Sequence, residues 1–161
     1  MIRVALVEPE IPQNTGNIAR LCVATNTPLH IVGATGFRLD DRAVRRAGLD
    51  YWPQVLLTKH RDLEELEQSL PDARFVYFTT KADLPHFDWK FEARDCLVFG
   101  RETRGLPESV LRAHWNRCVT IPILNPSVRS LNLANVVSIA LYEALHQTGE
   151  LWRAHEPTTD S

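Results

Sequence analysis

Residues 96–114 read CLVFGRETRGLPESVLRAH, and they hold a strand, a turn and a helix in immediate succession. The four apolar residues 96–99 predict a buried strand that ends at Gly100. A helix is predicted over 108–114, because Pro107 suits the first turn of a helix. A short apolar strand followed at once by a helix is typical of an α/β domain with a parallel sheet.

The same alternation of short apolar strands and helices continues on both sides of this unit. In chain order, the other predicted strands cover 3–7, 29–32, 55–57, 75–78 and 119–121, and further helices cover 43–47, 62–70 and 133–147. One more helix is predicted after Asn14 or Thr15, either of which can cap it. The predicted fold class is therefore α/β, with a mainly parallel sheet in a single domain over 1–152 and a polar tail over 153–161.

The composition is that of an ordinary globular domain. The chain has 161 residues, of which 44% are hydrophobic and 24% are charged, and this length suits a single domain. No run approaches 18 apolar residues, so no membrane span is expected. The first ten residues, MIRVALVEPE, lack the pattern of a cleavable signal. A soluble, cytoplasmic protein is the expectation.

The basic residues are biased towards arginine. Three of the 18 basic residues are lysine, so 15 are arginine, and they stand against 20 acidic residues. The net charge of −2 argues against a protein held on nucleic acid by bulk charge alone. The planar fork of arginine can nevertheless bind a few phosphates through two oxygens at a time. The three cysteines and six histidines show no C-x-x-C or H-E-x-x-H spacing, so neither a disulfide nor a metal site is expected.

The loops that follow the predicted strands are the candidate ligand site, because parallel sheets bind ligands beyond the carboxyl ends of their strands. The first of these loops, EPEIPQNTGNIAR at 8–20, leads into a helix whose free N–H groups can bind an anion. Arg20 lies one turn inside this helix and could point towards the same anion. A capped helix with a surface arginine is the alternative interpretation.

The loop at 99–107, FGRETRGLP, has the spacing G-x-x-x-x-G. It carries Leu106 and Pro107 where a phosphate-binding P-loop needs Lys and Ser or Thr, so it is not a Walker motif. Its acid, Glu102, suits a cationic or hydroxyl-rich ligand, and an ordinary strand-to-helix turn is the alternative. No G-x-G-x-x-G follows a strand, so the usual dinucleotide-binding fold and the common methyltransferase fold built like it are not supported.

The third region, 121–135, places polar residues before a long apolar helix. Ser130 or Asn132 can cap that helix. Asn132 and Asn135 lie three positions apart on one helical face. Their amides are costly to bury without partners, so backbone, a ligand or another subunit is expected to pair with them.

These three regions together carry a family resemblance. NTGNIAR at 14–20, FGRETRGLP at 99–107 and RSLNLANVVSIALYEAL at 129–145 resemble the three motifs of the SPOUT-type RNA 2′-O-ribose methyltransferases, and are called motifs 1, 2 and 3 below. EPEIPQNTGNIAR at 8–20 and RRAGLDY at 45–51 further resemble the tRNA (cytidine/uridine-34-2′-O)-methyltransferase family. The resemblance covers about residues 2–148.

The resemblance implies a trefoil knot in the C-terminal part of the fold, a homodimer, and S-adenosyl-L-methionine as the methyl donor, without a metal. Arg20 takes the family's catalytic position, and Glu102 and Asn132 are motif residues. The implied substrate is the ribose 2′-hydroxyl of the wobble nucleotide, position 34, in the anticodon region of tRNA. By position, the implied cofactor contacts are Phe78, Gly100, Ile121, Ser130 and Leu131.

Three other functions stay open from the sequence: a non-catalytic RNA-binding module of the same fold, a 2′-O-methyltransferase acting on another RNA, and a small-ligand α/β enzyme. The apolar face of the last helix could form a dimer contact or pack in the core. Further arginines are candidates for binding tRNA phosphates, with solvated surface charge as the alternative: Arg42, Arg45, Arg46, Arg104 and Arg129.

Overall fold

One parallel β-sheet organises the chain in the computed structural model, which describes residues 1–40 and 42–155. Within those residues the sheet has six strands, in the order β3-β2-β1-β5-β4-β6. Every neighbouring pair runs parallel, which confirms the predicted α/β class. The strands are β1 (Arg3–Val7), β2 (Leu29–Val32), β3 (Leu57–His60), β4 (Arg74–Phe78), β5 (Asp95–Phe99) and β6 (Cys118–Val119).

Helices connect the strands and cover both faces of the sheet. The α-helices are α1 (Pro12–Ala24), α2 (Arg42–Gly48), α3 (Leu63–Ser69), α4 (Glu108–Ala113) and α5 (Leu133–Gln147). Short 3₁₀ segments occupy Leu49–Gln54, His86–Asp88, Trp115–Arg117 and Glu150–His155. In the part of the chain that the structure describes, no helix combines the length and the apolar character needed to cross a bilayer.

Two apolar layers hold the helices on the sheet, because successive residues of a strand point to opposite faces. On one face, Leu6 packs in a cluster with Ile18 of α1 and Leu141 of α5. On the other face, Val7 belongs to a cluster that includes Leu66 of α3 and Leu111 of α4. The result is a three-layer sandwich in which α1 and α5 share one side of the sheet.

The cysteines belong to these two layers. Cys22, Cys96 and Cys118 are buried with free thiols. Burial raises the pKa of Cys22 and of Cys96 to about 12, so their thiols stay protonated at neutral pH and are poor nucleophiles.

Two strand predictions need correction. The strand predicted over 55–57 begins at Leu57 and runs to His60, because the 3₁₀ segment Leu49–Gln54 extends up to it and the N–H of Val55 bonds to the carbonyl of Trp52. The strand predicted over 119–121 is shorter: β6 ends at Val119, and Thr120 forms only an isolated bridge with Pro85. Ile121 therefore lies outside the sheet.

The predicted start of the first helix is also wrong. The helix α1 begins at Pro12, with Ile11 as its N-cap residue and no capping bond from that residue's side chain. Proline suits the first helical position, since its φ is fixed and its missing N–H would be unpaired there anyway. Asn14 and Thr15 are therefore buried inside α1 rather than capping it. The predicted tail over 153–161 falls partly on 156–161, outside the described residues.

The last helix, by contrast, is confirmed at both ends. It covers Leu133–Gln147, and the side chain of Asn132 caps it by accepting from the N–H groups of Ala134, at 2.9 Å, and Asn135, at 3.4 Å. Gly149 follows with a φ of 76°, a left-handed conformation that glycine adopts without strain.

Candidate active site

A cleft opens at the carboxyl edge of three neighbouring strands. Phe78 is the last residue of β4, Gly100 follows β5, and Ile121 lies two residues beyond β6. These strands are adjacent in the order β5-β4-β6, so their ends meet at one place. All five residues that the resemblance assigns to the cofactor line this cleft, whose volume is about 530 Å³. That volume is typical of a pocket for a small organic ligand.

The interior of the cleft is apolar and its rim is polar. The ring of Phe78 stacks on Phe99 with ring centroids 4.6 Å apart. Leu106 and Leu111 are buried beside them. Two exposed basic residues, Lys81 and Arg129, also line the cleft, and Lys81 pairs with Glu108 at 3.4 Å. The cleft can therefore hold a ligand that has an apolar or aromatic portion and an anionic or polar end.

Gly100 is required by the turn that forms one wall of the cleft. The N–H of Gly105 donates to the carbonyl of Arg101 at 2.9 Å, which closes a tight turn. A Cβ added to Gly100 would lie 2.1 Å from the carbonyl carbon of Gly105. Real Cβ atoms do not approach backbone this closely, so a side chain at position 100 would force the turn to move.

The segment between β6 and α5 has few hydrogen bonds of its own. Asn125 accepts from the N–H groups of Ser127, at 2.9 Å, and Val128, at 3.1 Å. Within residues 1–40 and 42–155, the structure records no hydrogen bond from the backbone N–H of Ile121, Ser130 or Leu131. Since backbone N–H groups in folded proteins are nearly always paired with protein or solvent, these three are available to a polar ligand in the cleft.

Motif 2 caps the first helix from a distance. One oxygen of Glu102 accepts from the N–H of Glu10 at 2.7 Å, and the other accepts from the N–H of Ile11 at 3.0 Å and from the amide of Asn14 at 3.5 Å. The helix α1 has no cap from its own sequence neighbours. A carboxylate at the start of a helix satisfies free N–H groups and interacts favourably with the helix dipole. Glu102 therefore holds motif 1 in place.

Motif 3 joins the same network through an amide pair. The Nδ2 of Asn132 donates to the Oδ1 of Asn14 at 3.0 Å. Asn14 is buried and contacts both Glu102 and Asn132. The expectation of backbone, a ligand or another subunit as partner holds only for the Oδ1 of Asn132, which accepts from backbone, because its Nδ2 bonds to a side chain of the same chain. Both Asn132 and Asn135 are exposed. The three motifs converge on Asn14.

A second set of contacts clamps the loop before α1 onto the turn of motif 2. The Nε of Arg101 donates to a carboxylate oxygen of Glu8 at 2.9 Å, and the Nη2 of Arg101 contacts the same oxygen. The hydroxyl of Thr103 donates to a carboxylate oxygen of Glu10 at 2.7 Å. Neither contact is visible in the sequence, because each joins residues 93 positions apart.

Arg20 does not line the cleft of its own chain. Its side chain is exposed on α1, and the guanidinium carbon lies 5.3 Å from the ring centroid of Tyr51. The structure therefore brings together the five assigned cofactor residues and leaves Arg20 on a neighbouring surface. Its catalytic role stays a prediction.

Sequence reasoning missed the role of Asn14 as the residue that contacts both of the other motifs. The available signal was its place on the apolar stripe of α1, one turn before Ile18 and two turns before Cys22. A buried amide on such a stripe needs a partner. The structure also adds Thr79 and Thr80, after β4, to the lining of the cleft. Among residues 1–40 and 42–155 there is no cluster of three or more side chains suited to a metal.

The parallel α/β sandwich, with three ordered motifs meeting at a cleft on its carboxyl edge, defines a methylase of the SPOUT class. The chain belongs to the SpoU rRNA methylase family, which it matches over residues 1–142.

Close relatives extend the match over nearly the whole chain. The tRNA (cytidine(34)-2′-O)-methyltransferase of Escherichia coli K12 is 44% identical over 150 residues, which cover 92% of this chain and 95% of the relative. The protein of the same name from Burkholderia pseudomallei is 46% identical over 152 residues, which cover 92% and 97%.

Solved structures agree with the fold. One that concerns the 2-OH methylation of C/U34 on tRNA matches with a TM-score of 0.87 at 43% identity, over 91% of this chain and 95% of that one. The SpoU methyltransferase AviRb from Streptomyces viridochromogenes, solved in complex with AdoMet, is 24% identical with a TM-score of 0.77. That match covers 91% of this chain and 60% of AviRb, and it supports the fold alone.

Proposed function

We propose that this protein transfers a methyl group from S-adenosyl-L-methionine to the ribose 2′-hydroxyl of the wobble nucleotide, position 34, of tRNA, where the base is cytidine or a uridine derivative. The relatives named for this activity on cytidine 34 are 44% and 46% identical over almost the full chain. The observation that carries the proposal is the single cleft lined by Phe78, Gly100, Ile121, Ser130 and Leu131.

The cleft suits the proposed cofactor in both its polar and its apolar parts. The stacked pair of Phe78 and Phe99 offers an aromatic surface, and half-buried Leu131 adds an apolar cover. The N–H groups of Ile121 and Leu131, which lack partners in the described structure, supply donors to a purine or a carboxylate. When bound, S-adenosyl-L-methionine supplies a methyl group already activated on a sulfonium, so the protein must mainly align the acceptor oxygen and handle one proton.

Arg20 is the proposed catalytic residue. A guanidinium does not readily lose its proton, so we assign Arg20 the role of an electrostatic stabiliser rather than that of a base. It would bind the phosphate beside the reacting ribose and stabilise the charge that develops on the 2′-oxygen. A positioned donor of this kind contributes roughly 3–4 kcal/mol to the transition state in comparable sites.

A homodimer would bring Arg20 to a cleft. Val136 of α5 lines the cleft, and on the same helix Ile139 and Tyr142 are 41% and 45% exposed. A second copy that covers this exposed apolar face would lie beside the cleft. Because the cleft of one chain lacks Arg20, we propose that the second copy supplies this side chain.

The trefoil knot is a further part of the proposal. Strand β6 lies at the edge of the sheet beside β4, whereas α5 packs against α1 and β5 nearer the centre. The segment that joins them, 120–132, therefore crosses back over the carboxyl edge. Residues of the loops after β4 and after β5 line the same cleft as this segment, a path that is compatible with a knot.

The proposed domain covers 1–152, followed by a tail at 153–161. The proposed location is the cytoplasm, where the proposed tRNA substrate is found. The test mixes the purified protein with labelled S-adenosyl-L-methionine and total tRNA, and then maps the modified nucleotide. We expect the label on the 2′-oxygen of nucleotide 34. A label at another position of tRNA would contradict the proposed target. Cofactor binding without any label on tRNA would favour a methyltransferase that acts on another RNA, and no cofactor binding by calorimetry would favour the non-catalytic module.

A further inference from the structure

A groove on the outer side of α1 is separate from the cleft. It has a volume of about 480 Å³ and lies between α1 and α2. None of its lining residues lines the cleft. Two amides, two guanidinium groups and two small side chains surround it: Gln13, Asn17, Arg42, Arg46, Ala43 and Ala47.

The two arginines carry charge that the described part of the chain does not neutralise. Arg42 and Arg46 are exposed and four residues apart, a spacing at which like charges on a helix repel. Arg42 also stands in the first turn of α2, where a cation opposes the helix dipole. Among the side chains that the structure describes, those of residues 1–40, 42–47 and 51–153, neither guanidinium has an ion pair partner. The described acid before α2, Asp40, pairs with Arg38 at 3.0 Å. An anion bound in the groove would offset both the repulsion between the two guanidinium groups and the unfavourable interaction of Arg42 with the helix dipole.

The groove is continuous with the surface that carries Arg20. Gln13, Asn17 and Arg20 are exposed at positions i, i+4 and i+7 of α1, so they form one stripe. At a rise of 1.5 Å per residue, Arg20 lies roughly 5 Å from Asn17 and roughly 10 Å from Gln13 along the helix axis. A nucleic-acid strand that has one phosphate at Arg20 can therefore place a neighbouring phosphate at the groove.

We propose that this α1–α2 groove binds a phosphodiester of the RNA substrate next to the nucleotide that is methylated. Arg42 and Arg46 are the phosphate ligands, and Gln13 and Asn17 donate to phosphate or ribose oxygens. The inference rests on the proposed function, since it requires that the substrate is RNA. The groove sets the affinity and register of the strand and does not touch the cofactor.

The test measures how tRNA binding to the full-length protein depends on salt. The variant Arg42→Gln with Arg46→Gln is compared with the control Arg94→Gln with Arg112→Gln. The control removes the same charge from exposed arginines that pair with Glu92 and Glu108. We expect the groove variant to bind tRNA roughly tenfold or more weakly at low salt, and its slope of log affinity against log salt to fall by about 1 per arginine.

The control variant should keep the wild-type slope, and both variants should bind S-adenosyl-L-methionine, measured by calorimetry, as the wild type does. An unchanged slope in the groove variant overturns the groove proposal and leaves the proposed function standing, provided that the wild type methylates tRNA. Equal losses in both variants also overturn it, because bulk charge then accounts for binding. If the wild type neither binds nor methylates tRNA, the proposed function fails and this inference fails with it.

Discussion

Asn14 and Asn132 lie 118 positions apart in the chain and are joined by a hydrogen bond of 3.0 Å, from the Nδ2 of Asn132 to the Oδ1 of Asn14. The same Asn132 caps α5 with its other side-chain atom, by accepting from the N–H of Ala134. Asn14 in turn donates to Glu102 at 3.5 Å. One buried amide therefore fixes the relative positions of α1, α5 and the turn after β5, which carry the three motifs.

Replacing this amide should loosen all three motifs. In Asn14→Ala, the Nδ2 of Asn132 loses its acceptor and Glu102 loses one donor, and a hydrogen bond of this kind contributes about 0.5–1.5 kcal/mol to stability. We expect the free energy of unfolding, measured in urea, to fall by that amount, and methylation to fall with it. Asn135→Ala is the control, because that side chain is exposed and its removal should change stability by roughly 0.5 kcal/mol or less. Equal stability of the two variants would contradict the role of Asn14.

The cap that Glu102 places on α1 makes a separate prediction. Glu102→Ala leaves the N–H groups of Glu10 and Ile11 without their acceptors, and the loss of a helix cap costs about 0.5–2 kcal/mol. Glu102→Gln keeps one accepting oxygen, so it should cost less. Hydrogen exchange at residues 10 and 11 measures the effect directly, and both amides should exchange faster in the alanine variant. Exchange at wild-type rates would show that solvent or another group replaces the cap at no cost.

Gly100→Ala tests whether the turn of motif 2 shapes the cleft. The added Cβ would meet the backbone of Gly105 at 2.1 Å, so the turn must shift, and overpacking of this kind costs about 1–3 kcal/mol. We expect weaker S-adenosyl-L-methionine binding in calorimetry together with lower stability. Gly149→Ala is the matched control: its φ of 76° imposes backbone strain, but nothing lies within 4 Å of the added Cβ. That control should lose stability and keep cofactor affinity. Equal affinity in both variants would mean that the turn does not define the binding site.

Arg20→Ala should separate catalysis from cofactor binding. Loss of a positioned donor to a developing oxyanion lowers the rate on the order of a hundredfold or more. Cofactor binding should persist, because the proposed contacts of Arg20 are to the RNA phosphate and the 2′-oxygen and not to the cofactor. Arg20→Lys should restore little activity, since the planar fork is lost. Single-turnover methylation and calorimetry are the two measurements, and an unchanged single-turnover rate would remove Arg20 from the mechanism.

Mixing two inactive variants tests whether a second copy supplies Arg20. Arg20→Ala is co-expressed with Phe78→Ala, which damages the cleft. If the cleft of one chain and Arg20 of the other form one site, the mixed dimer has one site in which both parts are intact. It should then regain part of the methylation activity. No recovery, with a mixed dimer demonstrated by mass spectrometry, would show that the second copy does not supply Arg20.

The parts of the fold that sequence alone predicted are those that local periodicity determines. The strand β1 and the helix α5 were predicted with their observed bounds, because each is a continuous apolar pattern with a polar or glycine boundary. The start of α1 was predicted wrongly, since its cap comes from Glu102, 91 positions beyond Ile11. For the site, the ends of the parallel strands predicted which loops form the cleft, and the family resemblance supplied the individual cofactor residues. The direction of the Arg20 side chain, set by its packing on Tyr51, has no signature in the sequence.

A buried histidine pair, outside the site, predicts how stability depends on pH. The Nδ1 of His30 lies 2.8 Å from the Nε2 of His60, and both side chains are buried. Burial, followed by the charges of His60 and Arg3, lowers the pKa of His30 to about 4 from its ordinary value of 6.5. Between these two values the unfolded chain binds more protons than the folded protein, so stability falls as the pH is lowered from about 6.5 to about 4.

The loss attributable to His30 is at most about 3.5 kcal/mol, since the pKa shift is about 2.5 units and each unit corresponds to about 1.4 kcal/mol. His30→Gln keeps a polar group beside His60 and removes the titration. The difference in unfolding free energy between wild type and this variant should therefore shrink or change sign as the pH falls. Only in the wild type does the unfolded chain bind a proton at position 30 that the folded protein does not bind. His146→Gln is the control, because it makes the same substitution at an exposed histidine. Urea unfolding at half-unit steps from pH 7 to pH 4 measures the profiles, and parallel curves for wild type and His30→Gln would show that folding does not lower the pKa of His30.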